Sequence, residues 1–248
     1  GVRNALISDT SDIGYMGIPS SLIGWDQDCP WKIAIGSTVV PLGLVTNVPE
    51  LRHLKDLKAD DKIGVPALDS VEHILLTMVA EKELGSPAAL NSNIKVLSHS
   101  EAAAALIAKQ NLTAHFAIPP YLFKECLIPG LHSITGDSVI LGHPFCYNVG
   151  VASLQFHNNK PLQYFAFIKA IDAAIFWLNH NMRAAALLLA SDFRLTPERV
   201  LQYMTWSRMK YTTKLCGIMQ FAYFMKRAGF IKKIPRSYSE IVWDNVYL

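Results

Sequence analysis

The groups best placed to do chemistry are hydroxyls and backbone amides that follow short apolar runs. Two segments, Tyr15-Met16-Gly17-Ile18-Pro19-Ser20-Ser21 and Val65-Pro66-Ala67-Leu68-Asp69-Ser70-Val71, each read as a strand that passes through a tight turn into a helix start. Helix starts present free N–H groups and the positive end of the helix dipole. In open α/β sheets, ligands bind beyond the carboxyl ends of the strands. Gly17 lets a ligand approach the backbone closely, and Ser20 and Ser70 add hydroxyls. Two such sites would suit a small polar or anionic molecule. The same residues would also serve as ordinary helix starts, and the sequence alone leaves both readings open.

Signals for covalent or metal chemistry are weak by comparison. No G-x-S-x-G, H-E-x-x-H, G-x-G-x-x-G, Walker A or EF-hand pattern occurs. The serine clusters Ser20-Ser21 and Ser98-His99-Ser100 lack the context of a nucleophile elbow. His73 falls on the helix that Asp69 opens, His99 reads as a helix-start residue, and His115 as a hydrogen-bonded strand residue; His143 precedes Pro144. The four cysteines, Cys29, Cys126, Cys146 and Cys216, form no C-x-x-C pair. They permit disulfides without choosing a pairing. No catalytic residue, metal ligand or cofactor is expected.

Those groups need a scaffold, and the composition supplies one. Of 248 residues, 51% are hydrophobic and 17% charged, against a usual charged share of about 25%. That excludes a disordered chain and gives ample material for a core. The net charge of +3 is too small to argue for nucleic acid. The longest uninterrupted apolar run, residues 184–190, falls far short of the roughly 20 residues of a membrane helix, so no integral membrane protein is expected. No signal peptide is visible and the chain lacks a starting Met, which suggests a processed or truncated N-terminus.

Up to about residue 160, β-like runs alternate with helical ones. Strands are expected at residues 12–16, 32–36, 42–46, 62–66, 93–97 and 112–116, and a long extended stretch at 146–156. Asp69 or Ser70 caps a helix through Leu75, Leu76, Met78 and Val79 that stops at Gly85, with Glu72 at capping-box spacing from Asp69. An alanine-rich helix covers 100–109. From Pro161 onward the chain reads as helical, over 162–180, 182–190, 196–207 and 214–228. The late aromatics Phe165, Phe167, Phe176, Trp177, Trp206, Phe221, Tyr223 and Phe224 fall at helical spacing and read as core. Strand–helix alternation implies mostly parallel sheets flanked by helices.

Several of these runs, in order, resemble the solute-binding proteins of ABC importers for nitrate, sulfonates and taurine. The resemblance rests on Ala5-Leu6-Ile7-Ser8-Asp9 through Asp12–Ser20, on Asp56-Leu57-Lys58 with Lys62–Pro66, Ser70 and Leu75-Leu76, and on Gly142-His143-Pro144-Phe145-Cys146. It extends to Phe224-Met225-Lys226 and Gly229–Lys233 with Pro235. It implies a two-lobed α/β fold of periplasmic-binding-protein type II, with a helical C-terminal tail and a ligand cleft that closes by hinge motion. The lobes are expected as residues 1–44 and 152–248 for one and 45–151 for the other, with crossings near 43–47 and 147–153.

The implied ligand-binding residues are Tyr15, Gly17, Ile18, Ser20, Ser37 and Thr38 in the first lobe and Leu68, Asp69, Ser70 and Val71 in the second, with Pro119 and Tyr121 on the rim. The implied protein is a non-enzymatic, extracytoplasmic monomer, periplasmic or extracellular and in some members lipid-anchored. It hands a small-molecule ligand to a membrane permease and its ATPase, with no nucleic-acid partner. The family's opening strand and helix are missing from the pattern. Asp69 stands where the family has Gly, and Ile118-Pro119-Pro120 replaces its Glu-Pro. Both changes reduce the case for an anion and leave a neutral pyrimidine open. Fungal thiamine-pyrimidine synthases resemble the same family and consume an active-site histidine beside cysteines and iron; this chain has no cysteine cluster. A ligand-sensing domain is a third reading.

Overall fold

The computed structural model describes residues 1–136 and 140–247. The chain forms two units, one of residues 1–39 and 144–248, the other of residues 40–143. Unit one begins with α1 (Val2–Ile7), β1 (Ile13–Gly17), α2 (Ile18–Asp26) and β2 (Trp31–Val39). Unit two contains β3 (Gly43–Thr46), β4 (Ile63–Val65), α3 (Val71–Leu84), β5 (Ile94–Val96), α4 (His99–Ile107), β6 (Ala114–Ala117), α5 (Tyr121–Cys126) and β7 (His132–Gly136). The chain then completes unit one with β8 (Asn148–Ser153), α6 (Leu154–Asn159), α7 (Pro161–His180), α8 (Met182–Phe193), α9 (Pro197–Met204), β9 (Lys210–Tyr211) and α10 (Ile218–Arg227).

In unit one the strand order is β1-β8-β2-β9, and every pairing is antiparallel. A mostly parallel sheet is therefore the wrong expectation here. The physical reason is an insertion. Strands β1 and β2 run the same way, joined by α2, as strand–helix alternation implies, but β8 lies between them and runs against both. β8 arrives from far along the chain, so no local pattern reveals it. The expected extended stretch over 146–156 is also shortened: it stops at Ser153, whose hydroxyl accepts from the Phe156 N–H at 3.1 Å and caps α6.

Unit two has order β5-β4-β6-β3-β7. Its core trio β5, β4 and β6 is parallel, as the alternation implies, while β3 pairs antiparallel with β6 and β7. The units divide earlier than expected at both places. Gly43–Thr46 is a full strand of the second sheet and Asn148–Ser153 of the first, so neither is a free crossing.

Helix α3 is buried all along Val71–Ala80, the polar Glu72, His73 and Thr77 included. Ser70, not Asp69, caps it: the His73 N–H donates to Ser70 Oγ at 3.1 Å, and Gly85 ends it at φ +78°. Helix α4 starts with a full capping box between Ser98 and Glu101. Pro161 starts α7, which packs Tyr164 and Ile168 on Ala34, Ile35, Ala152, Phe156 and Trp243. By length and composition α7 is also long and apolar enough to cross a membrane. Phe165, Phe176, Trp177 and Tyr223 point outward, so the reading of the late aromatics as core holds only in part, with Phe221 and Phe224 buried. Helical spacing that turns Tyr164 and Ile168 inward turns Phe165 and Phe176 away.

Gly24 on α2 sets how closely that helix meets β2. A methyl group there would stand 2.0 Å from Cζ2 of Trp31, which is buried. Gly24→Ala should destabilise the protein by about 1–3 kcal/mol, read as a lower urea midpoint; an unchanged midpoint would contradict this packing.

Candidate functional site

Each unit gathers its own set of candidate residues. In unit one, Gly17 and Thr38 both pair with Asn148, so the three share one row across β1, β8 and β2. This row lies at the carboxyl ends of β1 and β2, where the crossover topology places ligands. Ser37 is adjacent, and its hydroxyl donates to the Asn148 carbonyl at 3.1 Å. Helix α2 starts directly from Gly17 with no side-chain cap. Pro19 lacks an N–H, so Ile18 and Ser20 carry the free amides of its first turn. Ile18 is fully buried, so its side chain is core, while Ser20 is half-buried.

Tyr15 lies over the α-carbon of Gly150. A β-carbon there would meet the Tyr15 ring at 3.3 Å and Ile35 Cγ2 at 2.7 Å. Burial raises the Tyr15 hydroxyl above its ordinary pKa, which keeps it neutral and a donor. Two residues that the spacing does not single out join this set. Asn148 is revealed only by strand register. Arg3 shares with Met16 and Ser20 a surface pocket of about 480 Å³, and its guanidinium donates to Gln27 Oε1 at 2.7 Å.

In unit two, helices α3, α4 and α5 follow strands β4, β5 and β6, so their starts occupy the same side of the sheet. Ser70 and Val71 open α3. The Ser70 N–H donates to the Ala67 carbonyl at 3.2 Å, so that amide is already satisfied, and its hydroxyl is engaged as the cap. Free first-turn amides therefore begin at Val71. Leu68 is exposed, and its carbonyl accepts from His73 Nδ1–H at 2.6 Å. Asp69 is half-buried, and it is not the capping residue.

Behind these helix starts runs a chain of buried ionisable groups. Glu125 Oε1 accepts from His115 Nδ1–H at 2.6 Å, His115 Nε2 meets His99 Nδ1 at 3.0 Å, and His99 Nε2 stands 3.5 Å from Glu72 Oε1. His115 and Glu125 are fully buried. Tyr121 stacks on His99 at 5.8 Å between centroids and meets His115 edge-on at 6.5 Å. Thus α3, α4, β6 and α5 are tied through Glu72, His99, His115 and Glu125. The sequence identifies His115 as a hydrogen-bonded strand residue, and the structure agrees. It does not identify its partner Glu125, ten residues away on a helix. Pro119 is half-buried and precedes Tyr121 across a cis Pro119-Pro120 bond.

Among the described residues no cluster of three or more His, Cys, Asp or Glu is placed to hold a metal ion. A pocket of about 740 Å³ in unit two lies elsewhere, among Asn47, Asp61, Lys62, Lys95 and Lys109. There Lys62 Nζ is spent on the Ser92 carbonyl and Asp61 on Thr113 and the Lys58 amide. Those groups hold loops together at the end of the strands away from the helix starts.

Solved structures share this fold. The sulphonate-binding protein SsuA of Escherichia coli, described as a periplasmic aliphatic sulphonate binding protein, matches with a TM-score of 0.71 at 17% identity, over 97% of this chain and 78% of that one. The chain has the periplasmic-binding-protein fold. The alkanesulfonate-binding SsuA of Xanthomonas axonopodis pv. citri, bound to MOPS, matches at TM-score 0.72 and 17% identity, over 97% and 83% of the two chains. The CA3427 product of Candida albicans, described as having the generic periplasmic binding protein fold, matches at TM-score 0.74 and 16% identity, over 97% and 81%. No protein-family model matches this sequence, and no curated protein does. The fold is thus shared at an identity where ligand-binding side chains are free to differ.

Two measurements check the unit-two site. Glu125→Leu should cost about 3–5 kcal/mol, because it strands a buried imidazole donor, while adding His115→Phe should recover much of the loss. Equal stability of the single variant and the wild type in urea unfolding would contradict the pairing. His73 supplies a pH signature. Burial holds its imidazole below the ordinary value, opposed by the Leu68 hydrogen bond and the Asp69 charge. The unfolded chain therefore binds the proton more readily, and stability falls as pH drops through about 6.5 toward the folded value. The melting temperature should fall less between pH 7 and pH 5 in His73→Gln than in the wild type; parallel curves would contradict it.

Proposed function

We propose that the protein is the non-enzymatic solute-binding component of an ABC importer, working outside the cytoplasm and handing its ligand to a membrane permease. The observation that carries the reading is the row of Gly17, Thr38 and Asn148 with the uncapped start of α2 directly beyond it. Donors there are backbone amides and hydroxyls, which hold a small polar or anionic group without making or breaking a bond. The fold supports the role, since structures that share it include sulphonate-binding proteins and the ligand-binding component of an ABC-type import system from Staphylococcus aureus.

Within that role we assign a small organic anion of the sulfonate or taurine kind. Arg3 beside Ser20 supplies a positive charge near the α2 start, and the free amides of Ile18 and Ser20 suit oxyanion oxygens. Tyr15 as a neutral donor would hold the remainder of the molecule. We assign no step to His99 or His115, because both are engaged with neighbours.

Calorimetric titration with nitrate, alkanesulfonates, taurine and pyrimidines tests this. One-to-one binding of a sulfonate is expected, weakened about tenfold by Ser20→Ala, the loss of one charge-assisted hydrogen bond. Binding of a pyrimidine alone would move the ligand class; silence across the panel would contradict the role.

A further inference from the structure

Two of the four cysteines lie together, although they are far apart in sequence. Cys146 Sγ is 3.5 Å from Cys216 Sγ. Cys146 is fully buried and Cys216 half-buried. Backbone holds the two stretches in register: the Cys146 N–H donates to the Cys216 carbonyl at 3.1 Å. The neighbours press the same two stretches together. Phe145 packs edge-on against Phe221 at 5.1 Å, and Gly217, at φ +83°, sits so close that a β-carbon there would be 2.2 Å from Phe145 Cβ. Cys29 is half-buried and Cys126 exposed.

We propose that Cys146 and Cys216 form a reversible disulfide, made by exchange with a small-molecule or protein disulfide. The sulfurs must close from 3.5 Å to about 2.05 Å. Only the side chains need to turn, because the backbones are already hydrogen-bonded. The pair is also poised to react. Hydrogen bonding to Cys146, then the charge of Lys210, lowers the Cys216 thiol below its ordinary range. The same contact, with burial, raises Cys146. The Lys214 carbonyl, 3.2 Å from Cys146 Sγ, is an alternative acceptor for its one S–H proton. Cys216, the more exposed of the two, is the attacking thiolate and buried Cys146 the resolving thiol.

The electrons balance through the partner disulfide, RSSR. The Cys216 thiolate attacks one of its sulfurs, the S–S bond of RSSR breaks, and RS⁻ leaves with one electron pair. A mixed disulfide on Cys216 results. Cys146 then loses its proton and attacks Cys216 Sγ, the Cys216–SR bond breaks, and the second RS⁻ leaves. The two protons given up by the cysteines end on the two RS⁻ groups. Two cysteine thiols are oxidised and RSSR is reduced to two RSH.

The bond would tie the approach to β8 to the start of α10. That matters because β8 is the strand between β1 and β2. The linked residues are 70 apart in sequence, so the bond constrains β8, α6 to α9 and β9 within one loop. This inference does not rest on the proposed ligand.

The test uses the full chain in oxidised and reduced glutathione buffers. Samples are acid-quenched and alkylated, then peptide-mapped without reduction. A single intrachain peptide joining Cys146 to Cys216 is expected, with both of these cysteines protected from alkylation. The melting temperature should rise by roughly 10 °C and return on adding dithiothreitol. In Cys146→Ser, glutathione should accumulate on Cys216. The proposal is overturned if both cysteines stay alkylatable in a buffer that glutathionylates the exposed Cys126. Pairing of either with Cys29 or Cys126, or a link between chains, overturns it equally.

Discussion

Insertion of β8 between β1 and β2 is the constraint on which unit one depends. Two strands joined by a single helix would pair directly if only their own sequence mattered. Here they are held apart by a strand that starts about 110 residues after β2 ends and pairs antiparallel with both. Register then does the positioning. Because Gly17 and Thr38 both face Asn148, a slip of one residue on either side of β8 would break the row and turn alternate side chains to the opposite face. Buried residues of β8, Val149 and Val151 among them, fix that register through the core. The free amides of α2 are useful only because this frame fixes where they point.

In unit two the comparable frame is polar. Parallel strands place three helix starts on one side of a sheet, but their mutual placement is fixed by Glu72, His99, His115 and Glu125, each on a different element. A buried polar chain favours one arrangement because a shift would break the hydrogen bonds that hold His115 between Glu125 and His99. Apolar packing alone would tolerate small shifts. Ser70 shows the economy of the result: its hydroxyl and its amide are both used to build the α3 start, which leaves the next amides for anything that binds there.

How much of this was legible in the sequence depends on range. Several helix starts were legible, since Ser70, Pro161 and Thr196 carry their own capping or φ constraints, whereas the helix expected from residue 100 starts at His99 behind a Ser98 cap. The parallel trio of unit two follows from strand–helix alternation. What stayed hidden was long-range pairing. Nothing local marks β8 as an inserted strand, or Asn148 as the residue facing both Gly17 and Thr38. Nothing local links Glu125 to His115, or Cys146 to Cys216. Asp69 was misread as a capping alternative because its spacing to Glu72 is right while the backbone gives the cap to the next residue. Late aromatics misled for a related reason: periodicity shows that a helix has faces, not that each aromatic lies on the inner one.

The central claim is that backbone amides at the α2 start, and no reactive side chain, hold the solute. Amide-resolved NMR during titration with an alkanesulfonate tests it most directly. The account predicts saturable shifts of the Ile18 and Ser20 N–H signals with one common dissociation constant, while the ligand's own spectrum shows no chemical conversion. Shifts confined to residues outside that helix start, or conversion of the ligand into a new species, would contradict it.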